Sequence, residues 1–189
     1  GIATSALHQL QGCKALFVTP AHQYPMGGIM PLSERRHLLD WARQQHCVLV
    51  EDDYDSEFRF SGQPYPSLQG LENDAPVLYM GTFSKTIYPS LRIGYLVVPK
   101  PLFSPLRIVA AELYRGGHLL EQKALAEFIR EGHYEAHIRR MRLLYGKRRD
   151  YLVAGASLAG AGASLAAGLH FSQTLASLAA LTQQGWAQG

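Results

Sequence analysis

The chain has 189 residues, of which 47% are hydrophobic and 17% charged, so we expect one ordinary domain with a buried core. Its formal net charge is only +3 at pH 7, which does not by itself indicate a nucleic-acid partner. Two cysteines are too few for a secreted disulfide framework, and no apolar run approaches the roughly 20 residues of a membrane-spanning helix. The composition therefore predicts a cytoplasmic protein without a membrane segment.

Apolar runs in the first half of the chain predict a sheet of the α/β class. Residues 15–19 and 47–51 are short apolar runs that suit buried strands, and the segment between them is an amphipathic helix that ends near His46, with Ser33 as its expected N-cap. This strand, helix and strand form a βαβ unit. Residues 77–80 and 93–98 are expected to add two more strands.

The second half of the chain is predicted to be helical. Helices are expected over about residues 102–115, 119–130 and 133–152, with glycines marking the breaks. Residues 151–168 are rich in Ala, Gly and Ser and are predicted to be a linker. A short strand near Gly168 and a helix over 175–184 are expected after the linker.

Reactive side chains are expected at the carboxyl ends of two neighbouring strands, the edge at which open α/β sheets bind ligands. Asp52 and Tyr54 follow the run at 47–51, and Asp53 and Asp55 beside them are expected to serve the turn or to face solvent. The run at 77–80 is followed by hydroxyl, amine and guanidinium groups, on Thr82, Ser84, Lys85 and Arg92. A lysine amine, a carboxylate for a pyridinium nitrogen and donors for a phosphate are the groups that a pyridoxal phosphate site requires.

Three separated motifs also carry a family resemblance. VTPAHQYPMGGIMPLSERR at 18–36, EDDYDSEFRF at 51–60 and YMGTFSKTIYPSLRIGY at 79–95 resemble the aminotransferase-like domain of MocR/GabR-type regulators of the GntR family. The resemblance implies a three-layer α/β/α fold of the fold-type I pyridoxal phosphate-dependent transferases, similar to aspartate aminotransferase. Residues 1–150 would be an incomplete large domain, 151–168 a linker, and 169–189 the start of the small domain.

The resemblance also implies roles for six residues. Lys85 would form the Schiff base with pyridoxal 5′-phosphate, Asp52 would pair with the pyridine nitrogen, and Tyr54 would hydrogen-bond the phenolate oxygen. The phosphate would be held by a guanidinium and two hydroxyls, those of Arg92, Thr82 and Ser84. A carboxylate at the ring nitrogen favours the protonated ring, which accepts electrons from the substrate α-carbon.

The sequence departs from ordinary aminotransferases at one place. Where those enzymes have an Asn-Pro-x-Gly segment, this chain has Tyr24, Pro25, Met26 and Gly27, an arrangement that resembles the regulator branch. The sequence starts at Gly1 rather than methionine, so we expect it to be a piece of a longer product. Unpaired sheet edges in such a piece predict poor solubility in isolation.

The function predicted on this basis is that of a pyridoxal phosphate-binding effector domain of a MocR-type transcription regulator. The effector would be a small amino compound or the cofactor itself, the full-length protein would be a homodimer, and DNA would be bound only through a winged helix-turn-helix domain outside this sequence. The first alternative is a working aminotransferase acting on amino acids and 2-oxo acids, with Lys85 as the proton shuttle. The second alternative is an inactive remnant.

Overall fold

The computed structural model describes residues 2–60 and 65–158. Four strands and five α-helices follow one another along this part of the chain in the order β1, α1, β2, α2, β3, β4, α3, α4, α5. The strands are β1 (Ala15–Val18), β2 (Val48–Asp53), β3 (Val77–Thr82) and β4 (Gly94–Val97). The helices are α1 (Leu32–Gln44), α2 (Leu68–Leu71), α3 (Lys100–Tyr114), α4 (Leu119–Arg130) and α5 (His133–Leu158).

The four strands form one mixed sheet in the order β1-β2-β3-β4. β1, β2 and β3 are parallel, with Val18 opposite Glu51 and Asp53 opposite Gly81 at their carboxyl ends. β4 runs antiparallel to β3 and places Tyr95 opposite Gly81. The carboxyl ends of three parallel strands therefore meet at one edge, as the predicted βαβ unit requires.

The apolar face of α1 covers the main hydrophobic core. Leu38, Leu39 and Ala42 are fully buried against Leu49 of β2 and Val77 of β3. Residues spaced three and four apart lie on one face of a helix, and this apolar face packs on the sheet. The core therefore holds α1 against the sheet and fixes where the loop before α1 crosses the carboxyl edge.

One buried carboxylate serves the fold on the α2 side. Glu51 is fully buried, and its two oxygens accept hydrogen bonds from the backbone N–H groups of Leu68 (2.9 Å) and Gln69 (3.1 Å). Burial raises the pKa of Glu51, while the two backbone donors act in the opposite direction. The carboxylate thereby joins the end of β2 to the first turn of α2.

The long helix α5 packs beside the segment that follows β2. Tyr145 makes an edge-to-face contact with Phe58, with ring centroids 5.1 Å apart, and the Arg142 Nε–H donates to the Glu57 carbonyl. A second apolar cluster joins Leu125 of α4 to Leu91 and Ile93, which lie between β3 and β4. α4 and α5 thus pack against the loops at the carboxyl edge, where the site is expected.

Several apolar side chains remain exposed on α3. The largest are Phe103, Ile108, Val109, Leu113 and Tyr114, and the described residues of this helix include no buried side chain. No helix in the described ranges is long and apolar enough to cross a membrane.

Four predicted boundaries were wrong. α1 begins at Leu32 with Pro31 as its N-cap residue, so Ser33 lies inside the helix rather than at the cap. β2 continues to Asp53, because its last residues still pair with β3, so Asp52 ends up on the strand and not in the loop after it. α1 stops at Gln44, two residues before the expected end at His46, which has a positive φ of 51°.

The fourth boundary is the end of α5. The helix continues to Leu158, so the first eight residues of the predicted linker are helical. Alanine and leucine favour helix strongly enough to offset the glycines in this stretch. The rest of the predicted linker and the predicted start of the small domain, residues 169–189, lie outside the described residues.

Candidate functional site

A cavity of about 1020 Å³ opens at the carboxyl edge of β1 and β2. Asp52, Tyr54 and Lys85, the three side chains expected at the reactive end of the cofactor, all line it. Much of the remaining wall is apolar and comes from Ile2, Phe17, Val18, Tyr24, Ile29 and Met30. Residues from four separate segments therefore meet in one space, in the position that the βαβ arrangement predicts.

Asp52 contributes a carboxylate to the cavity wall. It is half-buried, and among the described residues it has no hydrogen-bond or ion-pair partner. Burial raises the pKa of Asp52, and the negative charge of Asp53 raises it further. A carboxyl group in this situation gains stability from a cation placed beside it in the cavity.

Lys85 brings an amine to the same cavity from the loop after β3. The strand ends at Thr82, and Lys85 in the loop that follows lines the same cavity as Asp52. The backbone N–H of Ile87 donates to the Phe83 carbonyl at 2.9 Å, which closes a helical turn around the lysine. Lys85 is half-buried, and no hydrogen-bond or ion-pair partner is found for it in the described part of the chain.

Tyr54 is attached to the loop before α1. Its hydroxyl donates to the His22 carbonyl at 2.9 Å, and the two rings stack with centroids 5.9 Å apart. The His22 imidazole is in turn held by Asp55, with 2.6 Å between Nδ1 and Oδ2. A phenol has one proton, so a Tyr54 that donates to His22 presents its lone pairs rather than its proton to other neighbours.

Asp53 lies on the opposite side of β2 and serves the turn that follows the strand. Its carboxylate accepts from the Ser56 hydroxyl (2.6 Å), the Ser56 N–H (3.2 Å) and the Tyr79 hydroxyl (2.9 Å). Burial and the charge of Asp53 raise the pKa of Tyr79, which keeps this phenol protonated. The turn role expected for Asp53 is observed, but Asp53 and Asp55 are only 9% and 8% exposed, so the alternative that they face solvent was wrong.

Arg35 fastens both ends of the loop that carries His22 and Tyr24. The side chain is fully buried, and it donates to the carbonyls of Pro20 (2.6 Å), Met30 (2.9 Å) and Pro66 (2.8 Å). Burial lowers the pKa of this guanidinium, and the charge of Glu51 partly restores it. The five donors of a guanidinium permit such a three-way clamp.

The predicted phosphate ligands lie outside the cavity lining. The Thr82 hydroxyl accepts from the Ser84 N–H at 3.1 Å, and both residues are half-buried at the end of β3. Arg92 is exposed and adopts a left-handed backbone conformation, with φ 52° and ψ 31°. The structure therefore brings together the amine, the carboxylate and the phenol, whereas the phosphate roles of these three residues stay predictions.

Sequence reasoning did not identify His22, Asp55 and Arg35 as parts of the site. The sequence did contain a signal for Arg35, which falls on the same face of the helix as Leu38, Leu39 and Ala42. A charged residue on a buried face needs buried hydrogen-bond partners. No such signal marked His22 and Asp55, since they are 33 residues apart and meet only when the sheet forms.

Comparison with known proteins assigns the family. The model for class I and II aminotransferases matches residues 3–168. The chain belongs to this family. Its aminotransferase-like domain is homologous to that of MocR-type helix-turn-helix regulators, and the class I and II aminotransferases are pyridoxal phosphate-dependent, so the resemblance and the fold class are both confirmed.

The similar proteins include regulators and enzymes. The probable rhizopine catabolism regulatory protein MocR of Rhizobium meliloti is 47% identical over 141 residues, which are 75% of this chain and 29% of that protein. The helix-turn-helix regulator YdeL of Bacillus subtilis is 47% identical over 134 residues, 71% of this chain and 29% of that protein. A kynurenine aminotransferase of Pyrococcus horikoshii, solved in complex with PMP, has a TM-score of 0.72 and 29% identity over 81% of this chain and 38% of its own.

This aminotransferase-like chain spans about three tenths of the length of the regulators that it resembles.

Proposed function

We propose that the chain binds pyridoxal 5′-phosphate at Lys85 and serves as the effector-binding domain of a MocR-type transcription regulator. The observation that carries the proposal is that Lys85 and Asp52 lie on the wall of one cavity. Within the described part of the chain, neither side chain has a hydrogen-bond or ion-pair partner. An amine and a carboxylate in one cavity fit the aldehyde and the pyridine nitrogen of this cofactor. The family match supports the same assignment.

The residues of the cavity have separate tasks in this proposal. Lys85 would supply the primary amine that binds the aldehyde carbon, with the aldehyde oxygen leaving as water, and Asp52 would hold a proton at the ring nitrogen. The raised pKa of Asp52 supports this pairing, because a bound cation compensates the buried charge. When bound, pyridoxal phosphate supplies an electron-withdrawing ring that stabilises negative charge on a carbon beside an amino group.

The regulatory role rests on the relatives. The two relatives at 47% identity are regulators, and Tyr24 lines the cavity from the segment where aminotransferases have Asn-Pro-x-Gly. We infer that a small amino compound or the cofactor itself acts as effector, and that DNA is bound by a helix-turn-helix domain of the kind named in those regulators. The full-length protein would be a homodimer. Cys13 and Cys47 are free thiols, which supports a cytoplasmic location.

The test is the visible absorption spectrum of the purified protein with added pyridoxal phosphate, before and after borohydride reduction. We expect a reducible band, and mass spectrometry should then place the cofactor on the peptide that contains Lys85. Lys85→Ala should abolish the band, whereas Lys100→Ala, which changes an exposed lysine outside the cavity, should leave it intact. A band that survives in Lys85→Ala would refute the assignment.

A working aminotransferase is the second candidate, favoured by the likeness to solved aminotransferases such as that of Pyrococcus horikoshii. Lys85 would then move a proton between the substrate α-carbon and the cofactor. Stoichiometric transfer of amino groups to 2-oxo acids over many turnovers would establish this function. Binding of an amino compound that shifts the spectrum without turnover would support the regulator.

A further inference from the structure

One face of α5 contacts the turn that carries Lys85. The Nε2 atom of His137 lies 2.9 Å from the Thr86 carbonyl oxygen. One helical turn earlier, the Tyr134 ring packs edge to face against Phe83, with ring centroids 5.6 Å apart. Phe83 precedes Lys85 by two residues and Thr86 follows it directly, so α5 contacts the turn on both sides of the lysine.

The Thr86 carbonyl belongs to a buried part of this turn. Thr86 is only 2% exposed, and its hydroxyl donates to the Phe83 carbonyl at 3.4 Å. The Ile87 N–H donates to the same carbonyl at 2.9 Å. A buried carbonyl that loses its donor costs more free energy than an ordinary hydrogen bond contributes. The hydrogen bond from His137 is therefore expected to stabilise the turn.

The contacts of His137 define which ring nitrogen carries the proton. A carbonyl oxygen can only accept, so Nε2 must donate to Thr86. On the other side of the ring, Nη2 of Arg140 lies 3.3 Å from Nδ1, and a guanidinium can only donate. Nδ1 therefore accepts, and both contacts require the same neutral tautomer, with the proton on Nε2.

The same side of α5 also contacts the segment after β2. The Arg142 Nε–H donates to the Glu57 carbonyl, and the Tyr145 ring packs against Phe58. Arg142 and Tyr145 lie on the same side of the helix as Tyr134. One helix thus contacts both the turn that brings the amine to the cavity and the segment after the strand that brings the carboxylate.

We propose that His137 is a positioning residue for Lys85: its Nε2–H holds the Thr86 carbonyl, and α5 thereby fixes the turn that presents the lysine amine to the cavity. Among the described residues, those that line this cavity do not include His137, so it acts on the amine through the turn. The inference rests on the proposed cofactor at Lys85. The amine forms a C=N bond with the aldehyde carbon while the aldehyde oxygen leaves as water, and this step depends on where the turn holds the amine.

The first test needs no cofactor. Hydrogen exchange at the Ile87 amide reports opening of the turn, because this N–H donates to Phe83 across Lys85. His137→Leu should speed this exchange about tenfold, which corresponds to about 1.4 kcal/mol, the size of one hydrogen bond. His137→Gln retains an N–H at a similar distance from the backbone and should stay within about threefold of the parent. The Leu49 amide, which donates to Pro76 in the sheet, should exchange at the parent rate in both variants.

The second test measures binding and covalent attachment separately. Pyridoxine 5′-phosphate has an alcohol in place of the aldehyde and forms no bond with an amine, so its dissociation constant reports the cavity alone. With pyridoxal 5′-phosphate, borohydride reduction reports the bond to Lys85. His137→Leu should slow formation of this bond about tenfold and change the dissociation constant of pyridoxine 5′-phosphate by less than about twofold. His133→Leu, the same substitution at an exposed position of α5, should alter neither.

The outcomes are distinguishable. Unchanged exchange at Ile87 in His137→Leu, equal acceleration at Leu49, or a glutamine variant that behaves like the leucine variant would overturn the positioning role. Absence of a Lys85-dependent band in the unsubstituted protein would instead refute the proposed cofactor, while exchange at Ile87 would still show whether His137 holds the turn. If His137→Leu does not fold, His137→Asn, whose shorter side chain ends before the Nε2 position, carries the same tests.

Discussion

Arg35→Lys is the substitution that tests most directly how the site is held together. The guanidinium donates to three carbonyls in different directions, those of Pro20, Met30 and Pro66. A lysine amine at the end of a single stem can retain at most one of them, so two buried hydrogen bonds are lost. At about 1–1.5 kcal/mol each, the free energy of unfolding should fall by about 2–3 kcal/mol.

The assay is urea-induced unfolding followed by circular dichroism, with thermal unfolding as a second measurement. For a domain of this size the loss corresponds to a melting temperature lower by about 4–12 °C. Arg36→Lys makes the same chemical change at the adjacent, exposed position and should stay within about 0.5 kcal/mol of the parent. If Arg35→Lys also stays within that limit, the three carbonyl bonds do not contribute to stability as argued.

Three further predictions follow from single residues. Asp52→Asn should raise the free energy of unfolding of the cofactor-free protein at pH 7. Folding raises the pKa of Asp52, so the folded state is destabilised once the pH exceeds this folded-state pKa and the carboxyl ionises, and asparagine does not ionise. The gain should shrink as the pH is lowered and the parent carboxyl takes up its proton. Urea unfolding at pH 7 and at an acidic pH measures it, and an equal gain at both would contradict the cause given. Arg92→Gly should be more stable than Arg92→Ala by about 0.5–1 kcal/mol, because position 92 is left-handed, and equal stabilities in the same assay would contradict this. Gly81→Ala should cost about 1–3 kcal/mol, because the added methyl group would overlap the Tyr95 ring, and the cost should vanish in a Tyr95→Ala background.

The strands and helices could be predicted from the sequence because each has a clear hydrophobic pattern. All four strands and the three long C-terminal helices lie at or within a few residues of their predicted positions. The end of β2 could not be predicted, because polar residues such as Asp52 become part of the strand by pairing with β3. The antiparallel direction of β4 is likewise set by its partner strand and not by its own residues.

Some residues of the candidate site could likewise be predicted from the sequence, and others could not. Lys85, Asp52 and Tyr54 lie in motifs, so their family resemblance identified them before their positions were known. His22 and Asp55 carry no local pattern, and their contact depends on how the loop before α1 crosses the sheet. Long-range pairs of this kind are determined by tertiary packing, which a single sequence does not reveal.

Alternation along β2 explains why only some of its acidic residues can serve a ligand. Successive side chains of a strand point to opposite faces, and here Asp52 and Tyr54 reach the large cavity while Asp53 and Asp55 reach a smaller one on the other side. Asp53 therefore accepts hydrogen bonds from Ser56 and Tyr79, whereas Asp52 has no hydrogen-bond or ion-pair partner among residues 2–60 and 65–158. A shift of one residue in the pairing with β3 would exchange the two sets, so the register that places Asp52 opposite Met80 decides which acid shares the large cavity with Lys85.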